Sequence, residues 1–169
     1  MELPERKRNR LKYCDYSKPG AYFITICTKD RREILAQPIT VNDVGAGIAR
    51  PKTEMMLLPY GKIVNDAIIG ISEHYDNALV DSYVIMPNHV HLILLLYPSQ
   101  GGRAMPAPTI SRIVQHMKGY ATKHIGQMIW QKLFHDHVIR DRESLAKIRE
   151  YIQTNPQTWE NDCFYTTEI

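Results

Sequence analysis

Ala78-Leu-Val-Asp-Ser-Tyr-Val-Ile-Met-Pro-Asn-His-Val-His-Leu-Ile-Leu-Leu-Leu96 is the stretch on which the architecture turns. Residues 78–86 and 89–96 are dense in strand-forming side chains, and Pro87-Asn88 between them is a turn signal. Two strands joined by two residues make an antiparallel hairpin. Along a strand, residues i and i+2 leave the same face, so His89 and His91 project together while Val90 enters the opposite one. Leu92 to Leu96 is continuously apolar, so this strand is expected to be central and rigid, a good mount for a site that must keep its geometry.

Upstream, Ala21-Tyr-Phe-Ile-Thr-Ile-Cys-Thr28 follows Pro19-Gly20 and reads as a strand. Residues 36–58 carry turn signals at Asn42-Asp43, Gly45, Gly47 and Pro51, which leaves an irregular insertion or a hairpin. Residues 59–74 space Ile63, Ala67, Ile68 and Ile71 as a helix does. Downstream, 98–108 is a Pro/Gly-rich loop. Residues 109–124 form a helix with Thr109 as cap and Ile110, Ile113, Val114, Met117 and Ala121 on one face. Gln131–Arg140 is a short strand. Asp141–Thr154 is a helix spaced by Leu145, Ile148 and Ile152, ended by Pro156. The order β–α–β–β–α–β–α defines an α+β class, one central, mostly antiparallel sheet with helices packed on it.

The chain has 169 residues and 44% apolar side chains, enough for a single domain with a real core. Cys14, Cys27 and Cys163 are scattered and form no C-x-x-C pair, so neither a zinc ribbon nor a disulfide framework is indicated, and a reducing cytosol is the natural compartment. No apolar run follows the basic N-terminus, which excludes a signal peptide, and the apolar run 91–97 is too short to cross a bilayer. Residues 1–12 hold five Lys/Arg against two Glu, a net of +3 that equals the charge of the whole chain. The excess basicity therefore sits in an N-terminal arm (1–20), which suits a polyanion or is a solvated terminus.

Two neutral imidazoles side by side are half of a metal site, or else two strand histidines hydrogen-bonded at a surface. His135-Asp136-His137 is a competing pair, with a charged middle residue that points to an edge or loop. Tyr151 and Asn155 share a helix face. They offer a phenol and an amide oxygen, or a packed tyrosine and a C-cap. Asn155 precedes Pro156, which biases it away from helical dihedrals.

Tyr83-Val-Ile-Met-Pro-Asn-His-Val-His-Leu-Ile-Leu94 resembles the signature of the HUH single-strand transposases. Phe134-His-Asp-His-Val-Ile-Arg140, Arg149-Glu-Tyr-Ile-Gln-Thr-Asn-Pro156 and Arg10-Leu-Lys-Tyr-Cys-Asp-Tyr-Ser-Lys-Pro-Gly-Ala-Tyr-Phe-Ile-Thr-Ile-Cys27 resemble its branch of REP-associated tyrosine transposases, within the insertion-sequence 200-like group. The resemblance implies a ferredoxin-like HUH nuclease fold over residues 1–169. It implies a divalent metal, Mg²⁺ or Mn²⁺, on His89, His91 and Asn155, with Tyr151 as nucleophile. The implied reaction is cleavage and rejoining of single-stranded or hairpin DNA through a 5′-phosphotyrosine. The DNA contacts expected are Arg6, Lys7, Arg8, Arg10 and Lys12 of the arm, with Lys118 and Lys123 of the middle helix. Tyr13 and Tyr16 either stack on bases or pack. The implied setting is a prokaryotic cytoplasm, at the nucleoid, as monomer or homodimer. Two rivals stand beside this reading. A histidine-triad nucleotide hydrolase needs a third histidine where Ile93 stands. A catalytically silent hairpin-DNA-binding regulator keeps the fold without turnover.

Overall fold

The computed structural model describes residues 18–42, 51–98 and 109–165. Strand β1 (Gly20–Cys27) leads into a short 3-10 turn, then β2 (Ala36–Asn42), β3 (Pro51–Leu57), helix α1 (Pro59–His74), β4 (Ala78–Ile85), β5 (His89–Leu96), α2 (Ile110–Ile125), β6 (His135–Ile139), α3 (Arg142–Thr154) and a 3-10 stretch, Asn155–Asn161. Four strands form one antiparallel sheet in the order β4-β5-β1-β6, and β2 pairs with β3 in a separate two-stranded sheet. Of the two readings left open for 36–58, its described residues take the hairpin. Residues 43–50 lie outside the described residues, as do the arm residues 1–17 and the loop positions 99–108.

The expected β4–β5 hairpin is present and closes by Met86 N–H donating to His89 O at 2.8 Å. β5 lies between β4 and β1, with α1 and α2 over one face and α3 over the other, which accounts for its continuous apolar run. On one face Tyr22, Ile24, Ile26, Val90, Leu92 and Leu94 pack against α1 and α2 through Val64, Ile68, Ile113 and Met117. On the other, Ile93, Ile139 and Ile152 form a smaller cluster under α3, with Phe23, Val84, Leu145 and Ile148 beside it. The same i, i+2 alternation puts His89 and His91 on this second face.

Two features fix the helices to this frame. Gly61 of α1 rides so close to Leu35 that a Cβ there would lie 1.9 Å from the Leu35 carbonyl oxygen. At the register shift between Val80 and Ser82, Asp81 receives the guanidinium of Arg149 from α3, with Nε donating at 2.8 Å. A bulge re-aims a side chain at the cost of one ladder position, and here it anchors α3 across the sheet.

Candidate active site

β5 and α3 bring the site together. His89 and His91 are 0% and 2% exposed, with ring centroids 4.5 Å apart, so the reading of two histidines hydrogen-bonded at a surface does not hold. Each has its Nδ1 engaged. His89 Nδ1 lies 2.8 Å from Asn88 Oδ1, and Asn88 spends its Nδ2–H on Phe164 O at 2.8 Å. The Asn88 oxygen facing His89 is therefore an acceptor, Nδ1 carries the proton, and Nε2 presents its lone pair. His91 Nδ1 meets Thr25 Oγ1 at 2.8 Å, leaving its Nε2 toward Tyr151 Oη at 3.2 Å. Partners on the far nitrogen orient an imidazole and raise its basicity toward a metal.

Burial keeps both rings neutral. It pulls His89 down to about 3, with the neighbouring His91 adding to the effect, and His91 down to about 4, against the opposing pull of the Asp162 carboxylate. Neutral imidazole is the ligating form.

Tyr151 and Asn155 share a face of α3 as expected, and Asn155 is the C-cap, its N–H donating to Tyr151 O. The expectation that Pro156 distorts Asn155 is corrected: φ −53 and ψ −42 are helical. The chain passes directly into a 3-10 stretch in which Pro156 takes a first-turn position, where its missing N–H costs nothing. Asn155 is 1% exposed and its Nδ2–H donates to Asp162 Oδ2 at 2.9 Å. Tyr151 Oη donates to the same oxygen at 3.3 Å. Burial first, then the Asp162 charge, push the Tyr151 phenol up to about 12. Burial would raise the Asp162 carboxyl too, but hydrogen bonds from the Phe164 N–H and the Asn155 amide outweigh it and hold the group below its ordinary range.

Asp162 is the residue sequence reasoning missed. With His89 and His91 it forms a group whose ligand atoms all lie within 4.8 Å of one another. His89 Nε2 and Asn155 Oδ1 are sealed from water without a hydrogen-bond partner. Two imidazole nitrogens and a carboxylate oxygen this close together, with the His89 nitrogen unpaired, fit a divalent cation. Asn88, Thr25 and Phe164 were also missed as supports. Phe164 lies 4.6 Å from His89, ring to ring, and the Arg31 guanidinium stands over the same phenyl ring at 5.3 Å.

The remaining expected residues lie elsewhere. His135 and His137 are exposed on β6, an edge strand, and belong to no metal-ligating group among the described residues. Lys118 is half-buried and donates to the carbonyls of Gln131 and Lys132 at 2.6 and 3.3 Å, and Lys123 is exposed. Arg6, Lys7, Arg8, Arg10 and Lys12, with Tyr13 and Tyr16, lie outside the described residues.

An antiparallel sheet whose central strand carries a buried histidine pair, faced by a tyrosine helix, is the HUH transposase fold. The chain belongs to the IS200-like transposase family, whose model matches residues 17–155. It is 31% identical to an uncharacterised protein of Haemophilus influenzae over 96% of this chain and 94% of that one. It is 26% identical to a protein of the same organism provisionally named a REP-associated tyrosine transposase, over 84% of this chain and 73% of the other. Among solved structures, one of a REP-associated tyrosine transposase bound to a REP hairpin matches with a TM-score of 0.59 at 21% identity, over 89% of this chain and 74% of that one. No helix among the described residues is long and apolar enough to cross a membrane.

Proposed function

We propose that this transposase is a metal-dependent single-strand DNA endonuclease and strand transferase acting at hairpin sequences through a 5′-phosphotyrosine on Tyr151. The observation that carries the reading is the convergence of His89, with its unpaired Nε2, His91 and Asp162 directly beside the Tyr151 phenol. His89, His91, Asp162 and Asn155 are the residues that would hold the cation. When bound, Mg²⁺ or Mn²⁺ supplies charge neutralisation to the scissile phosphate.

The chain's own residues do the rest. Tyr151 Oη forms a bond to phosphorus and the P–O3′ bond breaks. The phenolic proton is relayed by way of Asp162, which already accepts its hydrogen bond, to the departing 3′ oxygen, which leaves as a hydroxyl. Asn88 and Thr25 keep the two imidazoles in place throughout. The new ester conserves the phosphodiester energy, so a second 3′-hydroxyl reverses the step and joins a different strand. Hairpin DNA as substrate is supported by the likeness to a transposase solved with a REP hairpin, and the nucleoid is then its place of work. The basic arm, with Lys118 and Lys123, supplies phosphate contacts.

The test uses labelled hairpin oligonucleotides with and without Mn²⁺. The expected result is a denaturation-resistant protein–DNA band that needs the metal and vanishes in Tyr151→Phe, while hairpin binding persists. One observation favours the silent hairpin-binding regulator, the near-complete burial of the two imidazoles beside Phe164. Hairpin binding with no adduct in any divalent metal selects that second reading.

A further inference from the structure

A groove of about 650 Å³ runs between α2 and residues 128–134, on the side of the sheet opposite α3. Three cations line it, Lys118, Lys123 and Lys132, and no Asp or Glu does among the described residues. Its apolar part is built from Trp130, which is 5% exposed, the half-buried Phe134, and Met128 and Leu133, which stand out at 76% and 58% exposure. The Trp130 Nε1–H is sealed from water without an acceptor.

The groove and the candidate active site lie on opposite faces of the sheet, joined by a short stretch of backbone. Gln131 N–H donates to Cys27 O at 3.0 Å, Lys29 N–H donates to Ile129 O at 2.7 Å, and Trp130 bridges Thr28. Cys27 is in turn the cross-strand partner of His89. Segment 129–131 therefore lies beside the end of β1 as a further strand would, two strand spacings or about 10 Å from the His89 backbone.

We propose that this groove holds the unpaired DNA flank after it has passed round the sheet from the cleavage position, with bases against Met128, Leu133 and Phe134 and backbone phosphates on Lys118, Lys123 and Lys132. Three cations without a counter-ion in the lining select an anion. An aromatic, apolar floor between them selects one whose charges alternate with flat rings, which is a single strand of nucleic acid. A duplex keeps its bases stacked inside and has none to offer. Burial already pulls the Lys118 ammonium below its ordinary range, so a phosphate there restores what the fold takes away. The inference rests on the single-strand nuclease reading and adds the subsite for the flank.

Fluorescence anisotropy tests it with a labelled hairpin that carries an unpaired flank, titrated at several salt concentrations. Each lost phosphate contact flattens the salt dependence of single-strand binding by about 0.7 in log–log slope, so Lys123→Gln/Lys132→Gln flattens it by about 1.4. A charge-matched control, Lys62→Gln/Lys147→Gln, retains the wild-type slope. Iodouridine placed in the flank cross-links to Phe134 or Met128. An unchanged slope in the groove variant, equal flattening in the control, or cross-links only outside 128–134 overturns the groove and leaves the nuclease reading standing. A wild-type protein that binds neither hairpin nor flank in a salt-dependent way removes both.

Discussion

Asn88 does two jobs with one amide. Its oxygen takes the His89 Nδ1 proton and its nitrogen ties down the Phe164 carbonyl. Removing such a support lowers metal affinity about 10- to 100-fold. Asn88→Ala is therefore expected to weaken Mn²⁺ binding by that factor in calorimetry, with Asp162→Ala at least as severe. Acid sensitivity follows from the same residues. In the metal-free protein the folded imidazoles lie at about 3 and 4, far below the ordinary histidine value of 6.5. The unfolded chain takes up protons first as pH falls through 6.5, so stability drops on acidification and continues to drop until the folded values are reached. Between pH 7 and 5 the loss is on the order of 3 kcal/mol. Thermal melts in chelator should show it, and His89→Gln/His91→Gln should flatten the dependence. The histidine pair was legible in the sequence because strand alternation is a local rule. Asp162 was not, because it reaches the site only by way of the 3-10 stretch after Asn155, and no periodicity announces that return.

At the scale of elements, the helices were the readable part. Apolar spacing located α1, α2 and α3 to within a residue or so, and Thr109 caps α2 as its type suggested, its Oγ1 accepting from Arg112 N–H. β2 and β3 were harder. Pro38, Thr40 and Thr53 weaken the strand pattern, and β3 alternates only between exposed and half-buried positions, so no strong apolar period shows in its sequence. The close approach of Gly61 to Leu35 was invisible, since it depends on where α1 lands rather than on α1 itself. Gly61→Ala must push backbone apart there, and the expected cost is about 3 kcal/mol or more, read from urea unfolding. The control Gly70→Ala, where an added Cβ meets nothing within 4 Å, should be neutral to stabilising.

For the whole molecule, the proposed metal site and the folded core draw on the same strand, β5. A cation that binds only the folded state adds about 2.7 kcal/mol at a hundredfold excess over its dissociation constant. Saturating Mn²⁺ should raise the melting temperature of the wild type and leave that of His91→Ala unchanged. Strand order was beyond sequence reasoning because pairing is non-local: β1 sits between β5 and β6, elements that follow it far along the chain. The same separation has a consequence in time. Tyr151 meets His91 across 60 positions of sequence, and Asp162 follows later still. During synthesis the ribosome delivers the histidine strand well before the helix and the carboxylate that face it. On the mechanism proposed above, a nascent chain carries the imidazoles before Tyr151 and Asp162 have emerged, and translation itself acts as the safety catch.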